Sequence, residues 1–166
     1  MGFIVDCMLG KLAKWLKILG FDALFFSKIE DEDLLAIARK EKRILLTRDT
    51  GLIRKAKTIK TLFLESEAWR EQVVQVLEHF DLWGKINAHT RCIACNVELK
   101  SLPRKNAKNL VTPFVYRHAD SFAICPGCGR VFWRGTHFKD MEHRIEAVSY
   151  THLRAHETVL DLVCRL

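Results

Sequence analysis

Aspartates at the ends of two predicted strands are the first residues whose types and spacing could do chemistry. Asp6 closes the apolar run GFIV, and Asp49 follows the apolar run ILLT by one residue. If both strands are parallel in one sheet, both carboxylates emerge at its carboxyl edge, where open α/β sheets build their sites. Asp31, in the acidic stretch EDED, can project to that edge from the start of the next helix. Three converging carboxylates would bind one or two Mg²⁺ or Mn²⁺ ions, which activate water for phosphodiester displacement.

Each of these carboxylates also has a plainer interpretation. Asp31 is a good helix N-cap, and for this residue alone capping is the stronger interpretation. Asp49 can cap the helix that follows it. Asp6 is the hardest to explain as a cap, because it closes an apolar run just before a helix start. Cys7 is expected to be a small buried residue and not a nucleophile, since no histidine lies near it in sequence.

Two cysteine pairs carry the strongest metal signal in the chain. Four of the six cysteines form two C-x-x-C motifs, namely Cys92, Cys95, Cys125 and Cys128. A two-residue spacer lets both thiolates reach one ion, and four thiolates at about 2.3 Å close a tetrahedral structural zinc site. No export signal is apparent, so the pairs indicate metal binding, with a redox dithiol as the alternative. A region this small buries little core, so the metal would supply much of its folding energy.

The charge is unevenly distributed along the chain. The net charge is +7; residues 1–88 carry 15 Lys and Arg against 13 Asp and Glu, whereas residues 89–148 carry 10 against 5. Such an excess favours a polyanionic partner such as nucleic acid, although solubility alone explains it equally well.

Aromatic and basic residues alternate near the second cysteine pair. Side chains of this kind can stack bases while they bind phosphates, or they can form a small core of their own. Lysines also recur at three-residue spacing on the first predicted helix, where a solvated face is favoured over a phosphate track. The candidates for nucleic-acid contact are Arg130, Trp133, Arg134 and Lys11.

Apolar patterning predicts strands and helices that alternate along the first part of the chain. The predicted strands cover residues 2–5, 22–26, 43–47 and 60–64, and the predicted helices cover 8–19, 32–42, 49–57 and 67–82. This alternation implies an α/β fold with a parallel sheet flanked by helices, followed by a small four-cysteine zinc ribbon. We place the domains at residues 1–88 and 89–148, and the stretch VTPFVYRH in the second domain is interpreted as a strand.

The last 18 residues do not continue the pattern of the ribbon. They resemble translated sequencing-adapter read-through, so residues 149–166 are expected to be non-native; a short amphipathic helix is the alternative. No run approaches the roughly 20 apolar residues that span a bilayer, and no signal peptide precedes the first strand. We therefore expect a cytoplasmic protein without a membrane partner.

Taken together, the motifs resemble the Mut-seven C-terminal RNase family, a PIN-like domain followed by a zinc ribbon. The matching stretches are FIVDCMLGKLAKWLKILGFD, EDEDLLAIARKEKRILLTRD, RCIACN and CPGCGRVFWRGTHF. The resemblance implies a PIN-type parallel sheet and metal-dependent endoribonuclease activity. By position, it implies that Asp6, Asp31 and Asp49 are the acidic-site residues and that Thr47 orients the last of them. Glu65 is a weaker candidate for a fourth acidic residue.

Three hypotheses follow from these observations. The leading one is a Mg²⁺- or Mn²⁺-dependent ribonuclease whose basic zinc ribbon grips RNA. The second is a non-catalytic RNA-binding adaptor that keeps the fold, which predicts binding with a steep salt dependence. The third is a protein-interaction module that uses the ribbon as its docking surface.

Overall fold

The computed structural model describes residues 1–133. Two compact units divide the chain, Met1–Glu98 and a second that begins at Leu99. The domain boundary near residue 88 stays a prediction. Arg134 and the tail 149–166 lie outside the described residues. Within the described part of the chain, no helix is both long and apolar enough to cross a membrane.

The first unit is built on a four-stranded parallel sheet, as the sequence predicts. Its strands are β1 (Gly2–Val5), β2 (Asp22–Phe25), β3 (Ile44–Thr47) and β4 (Thr61–Phe63), and its helices are α1 (Gly10–Ile18), α2 (Asp31–Lys40), α3 (Thr50–Lys55) and α4 (Trp69–His79). Short 3₁₀ turns cover Cys7–Leu9 and Trp83–Lys85. The strand order is β2-β1-β3-β4, and every neighbouring pair is parallel.

Helices cover both faces of this sheet. Ile4 and Leu45 belong to one buried cluster together with apolar residues of α2 and α3. Because side chains alternate along a strand, Phe3 faces the other way, and its ring centroid lies 5.5 Å from that of Phe80, just after α4. On this side, Trp15 of α1 stacks on Trp69 of α4 at 4.7 Å. Burial on both faces explains why the strands read as continuous apolar runs.

Gly20 follows the C-cap residue of the first helix. Its φ of +93° is a left-handed conformation that favours glycine. A Cβ at this position would lie 2.1 Å from the carbonyl oxygen of Asn87. The glycine is therefore required both by the backbone turn and by the close approach of a later segment.

The second unit carries a small antiparallel sheet. Its elements are β5 (Lys100–Leu102), α5 (Arg104–Ala107), α6 (Pro113–His118), β6 (Phe122–Ile124) and β7 (Val131–Trp133), with strand order β5-β6-β7. Its buried core among the described residues is small and centres on Ala107, Ala119 and Phe122.

The prediction of a strand over VTPFVYRH is wrong, because most of this stretch forms α6. The hydroxyl of Thr112 accepts a hydrogen bond from the backbone N–H of Val115 at 3.3 Å and caps the helix. Pro113 follows in the first turn, where its missing N–H has no intrahelical partner to lose. This Thr-Pro pair is a helix-start signal that the apolar pattern of the stretch obscured.

Candidate functional site

The fold places Asp6 and Asp49 at the carboxyl edge of the sheet, after two neighbouring strands. β1 and β3 are parallel neighbours, with Val5 opposite Leu46. The chain leaves β1 for β2 on one side and leaves β3 for β4 on the other. This reversal is a topological switch point, the place where open α/β sheets bind ligands. Asp6 follows β1 directly and Asp49 follows β3 by one residue.

Thr47 joins these two aspartates. Its buried hydroxyl donates a hydrogen bond to Asp6 Oδ2 at 2.6 Å and accepts one from the backbone N–H of Asp49 at 2.9 Å. Asp6 is itself only 7% exposed, and its backbone N–H donates to the carbonyl of Leu46 at 3.0 Å. One hydroxyl therefore fixes the carboxylate after β1 and the backbone after β3.

Asp49 caps α3, which confirms the capping interpretation for this residue. Its Oδ1 accepts hydrogen bonds from the backbone N–H groups of Gly51 at 2.6 Å and Leu52 at 3.3 Å. Both bonds go to one oxygen, so the cap does not use Oδ2. The side chain is exposed. Capping therefore leaves the second carboxylate oxygen of this exposed side chain uninvolved in the helix start.

Asp31 is held by an ion pair. It is the first residue of α2, and the N-cap is Glu30, so the N-cap interpretation of Asp31 is wrong. Its Oδ2 lies 2.8 Å from Lys55 Nζ at the end of α3. The pKa of Lys55 is raised mainly by its hydrogen bond to Asp31, and further by the charges of Asp31, Glu32 and Asp49. Lys55 thus interacts electrostatically with acidic groups at the starts of both α2 and α3.

Cys7 contacts the buried carboxylate of Asp6. It is exposed and not buried as expected from the sequence. Desolvation raises the pKa of its thiol, and the hydrogen bond to Asp6 and the charge of Asp6 raise it further. A thiol that donates to a carboxylate stays protonated at neutral pH, so Cys7 is a poor nucleophile.

The four paired cysteines come together. Their Sγ atoms all lie within 4.8 Å of one another, and among residues 1–133 they form the only group of three or more His, Cys, Asp or Glu side chains at this spacing. Tetrahedral zinc with bonds of about 2.3 Å separates its sulfurs by about 3.8 Å. The cluster therefore fits a zinc ion. In each pair the first cysteine is buried and the second is exposed.

Both cysteine motifs close with the same backbone turn. In the first, the N–H of Cys92 donates to the carbonyl of Val97 and its carbonyl accepts from the N–H of Asn96, both at 2.9 Å. In the second, Cys125 makes the equivalent bonds with Arg130 and Gly129, at 2.9 and 2.8 Å. Asn96 and Gly129 occupy equivalent positions with φ of +66° and +71°. Both turns therefore pass through a residue in the left-handed conformation.

Asn96 also anchors the first cysteine turn to the sheet, a contact that sequence reasoning missed. Its side-chain oxygen accepts a hydrogen bond from the backbone N–H of Ala23 at 3.0 Å, and its side-chain nitrogen donates to Asp22 Oδ1 at 2.6 Å. Arg43 pairs with the same oxygen at 2.7 Å. Burial would raise the pKa of Asp22, but the hydrogen bonds from Arg43 and Asn96 lower it below its usual range.

The remaining predicted residues are on the surface. Lys11 on α1 and Arg130 before β7 are exposed, and Trp133 at the end of β7 is 43% exposed. Glu65, after β4, is exposed and its backbone N–H donates to Gln75 at 3.4 Å. These residues are accessible to a partner.

Fold and site together define an α/β protein with aspartates at a switch point and a four-cysteine cluster suited to a metal ion. Residues 1–145 match the model of the Mut7-C RNAse domain family, and the chain belongs to this family. The resemblance inferred from the motifs is thereby confirmed. A search of curated proteins found no significant match, and neither did a search of solved structures.

Proposed function

We propose that the protein is a PIN-type ribonuclease that hydrolyses RNA phosphodiester bonds with carboxylate-bound Mg²⁺ or Mn²⁺. One observation carries this proposal: Asp6 and Asp49 follow neighbouring parallel strands at the switch point, and Thr47 links them through hydrogen bonds. Membership in a family named for an RNAse domain supports the same activity.

The carboxylate donors at this edge of the sheet are of the chemical type that suits a hard cation. Carboxylate oxygens are the ligands that Mg²⁺ prefers, usually one or two of them with several waters. Asp6, Asp31 and Asp49 do not all lie within the 4.8 Å of one another that the cysteine sulfurs show. Asp6 and Asp49 would therefore hold the ion, and Asp31 would join them only by exchanging Lys55 for it. Thr47 keeps the Asp6 carboxylate in one orientation. When bound, such ions activate water and stabilise the charge that develops at the phosphate.

We assign the nuclease to residues 1–88 and RNA holding to the cysteine-containing region 89–148. Residues 99–133 alone carry six Lys and Arg against one Asp, a net charge of +5. Such a surface attracts a polyanion and makes its binding salt-dependent. Arg130 and Arg134 would contact phosphates, with Lys11 as a further contact, and the exposed ring of Trp133 would stack on a base.

We propose that the four cysteines hold a structural Zn²⁺. Four thiolates fill the tetrahedral shell, so no position is left for chemistry at this ion. The second unit has a small core, and metal binding would supply part of its folding free energy. A cytoplasmic setting, in which thiols stay reduced, belongs to this proposal.

The test is RNA cleavage by the purified protein with Mn²⁺ or Mg²⁺. We expect cleavage that EDTA abolishes and that Asp6→Asn lowers at least about 100-fold, the scale set by losing a metal-positioning group. Asp33→Asn is the matched control, because Asp33 is exposed on α2. Absence of metal-dependent cleavage on diverse RNAs would refute the proposal.

The other hypotheses give different results in the same preparation. An RNA-binding adaptor would bind RNA with a steep salt dependence, unchanged by Asp6→Asn, and would not cleave it. A protein-interaction module would bind RNA weakly and retain a protein partner through residues 89–140.

A further inference from the structure

Lys17 is a buried charged residue that the proposed ribonuclease mechanism does not use. It lies in the last turn of α1 and is 5% exposed. Lys14 and Lys11, about one and two turns earlier, are exposed. The expectation of a solvated lysine face is therefore wrong for Lys17, which points into the protein.

The ammonium of Lys17 lies at the first cysteine turn. Its Nζ donates to the carbonyl oxygen of Ile93 at 3.4 Å, and Ile93 stands between Cys92 and Cys95. Burial lowers the pKa of Lys17, and negative charge on the two cysteines raises it in part. Lys17 and both ligand positions of the first motif therefore interact electrostatically.

Backbone contacts fix this arrangement. The N–H groups of Asn87 and His89 donate to the carbonyls of Leu19 and Ile18 at 3.0 and 2.8 Å. Arg91 Nε donates to the carbonyl of Gly20 at 3.1 Å. The segment that leads into the first cysteine turn thus binds the carboxyl end of α1, so Lys17 stays beside the cysteines.

A buried ammonium needs a counter-charge. Removing it from water is unfavourable unless a negative group compensates its charge. Within the part of the chain that the structure describes, the ion pairs of the lysines and arginines do not include Lys17. Zinc with four thiolates carries a net charge of −2, since two positive charges meet four negative ones. The loaded cluster would supply the counter-charge that Lys17 needs.

We propose that Lys17 is the charge-compensating residue of the four-cysteine metal site. With its buried ammonium beside the first cysteine turn, it offsets part of the net negative charge of the loaded cluster and so raises the affinity of the cluster for zinc. It also makes α1, the helix that begins near Asp6, part of the metal site's surroundings. This inference rests on the proposed zinc site.

The test compares zinc binding by three full-length variants. Lys17→Met removes the charge at nearly the same side-chain length, Lys17→Arg keeps the charge, and Lys14→Met is the matched exposed control. Zinc affinity is measured by competition with a chromophoric chelator. We expect Lys17→Met to weaken zinc binding about 10- to 100-fold, the usual effect of losing a residue that supports metal ligands. Lys17→Arg and Lys14→Met should stay close to wild type.

Thermal unfolding of metal-free and zinc-loaded protein separates this role from simple packing. Metal-free Lys17→Met should be at least as stable as metal-free wild type, because an uncompensated buried charge has been removed. The extra stability that zinc confers should shrink. Equal destabilisation of both forms would show that Lys17 only packs against the cysteine turn.

Three further results would overturn the inference. The first is wild-type zinc affinity in Lys17→Met. The second is a loss in Lys17→Arg as large as that in Lys17→Met, which would show that charge is not the cause. The third is wild-type protein that binds no zinc, which would remove the zinc site as well. RNA cleavage that depends on Asp6 would then show whether the ribonuclease proposal survives on its own.

Discussion

The two ends of the parallel sheet use aspartates differently. At the amino end, Asp22 forms an ion pair with Arg43 and accepts a further hydrogen bond from Asn96. At the carboxyl end, Asp6 and Asp49 accept hydrogen bonds from uncharged donors, namely a hydroxyl, a thiol and backbone N–H groups. An aspartate with a cationic partner serves as a structural link. An aspartate held by neutral donors would, on our proposal, be available to a metal cation.

Asp31 is intermediate between these two cases. Like Asp22 it has a cationic partner, Lys55, but that pair is exposed and the lysine can move away. The comparison therefore predicts that changes at the carboxyl end mainly affect activity, whereas changes at the amino end mainly affect stability.

Among substitutions that leave the aspartates in place, Thr47→Val should have the largest effect on activity. The substitution removes the hydroxyl that fixes Asp6 and the backbone of Asp49. We expect cleavage to fall about 100-fold, because misplaced catalytic groups cost this much, and stability to fall by about 1–3 kcal/mol through lost buried hydrogen bonds. Thr47→Ser keeps the hydroxyl and should stay near wild type. Steady-state cleavage measures the loss of activity, and urea unfolding measures the loss of stability. Full activity in Thr47→Val would contradict the idea that the carboxyl end of the sheet serves activity.

Asn96→Gly should affect stability and not activity. Glycine tolerates the φ of +66°, so the loss isolates the side-chain bonds to Ala23 and Asp22. We expect about 1–3 kcal/mol of lost stability, as for a buried hydrogen-bond partner removed, measured by urea unfolding. Cleavage per folded molecule should be unchanged. A stability equal to wild type would show that the first cysteine turn does not support the sheet.

The Asp22–Arg43 pair should make stability depend on pH. The pKa of Asp22 is lowered in the folded protein, so its contribution is present above the unfolded value of about 3.9 and is lost as the pH falls through the folded value. Allowing for partial exposure, we expect wild type to exceed Asp22→Asn by about 1 kcal/mol at pH 7. The difference should shrink between pH 5 and pH 2, roughly. Urea unfolding across this range measures it, and a constant difference would contradict the pairing.

Lys55→Met should have the smallest effect on stability, because the Lys55–Asp31 pair is exposed. This variant is informative because it should change how cleavage depends on the Mn²⁺ concentration. Lys55 competes with a cation at Asp31 and adds positive charge near Asp49. We expect the Mn²⁺ concentration for half-maximal cleavage to fall several-fold, with Lys57→Met, which is exposed just after α3, as the control. An unchanged Mn²⁺ requirement would exclude Asp31 from the site.

Local patterns predicted much of this fold. Apolar runs indicated the four parallel strands because these strands are buried on both faces. The C-x-x-C spacing indicated the cysteine cluster because each pair closes one local turn. The pattern failed for α6, where the Thr112–Pro113 helix start competed with an apolar and aromatic stretch.

Contacts between distant residues could not be predicted in this way. Asn96 bonds to Ala23, 73 positions earlier, and Lys17 to Ile93, 76 positions later. Nothing in the lysine spacing separated Lys17 from Lys14, because only the folded chain brings a cysteine turn against the carboxyl end of α1. The pairing of Asp31 with Lys55 depends in the same way on two helices that meet after folding.

The most direct test of the central claim applies one substitution at both ends of the sheet. Mn²⁺-dependent RNA cleavage is measured for Asp6→Asn and Asp22→Asn under conditions where both are folded. We expect Asp6→Asn to lose at least about 100-fold in rate and Asp22→Asn to cleave like wild type. Wild-type cleavage by Asp6→Asn, or an equal loss in both variants, would contradict it.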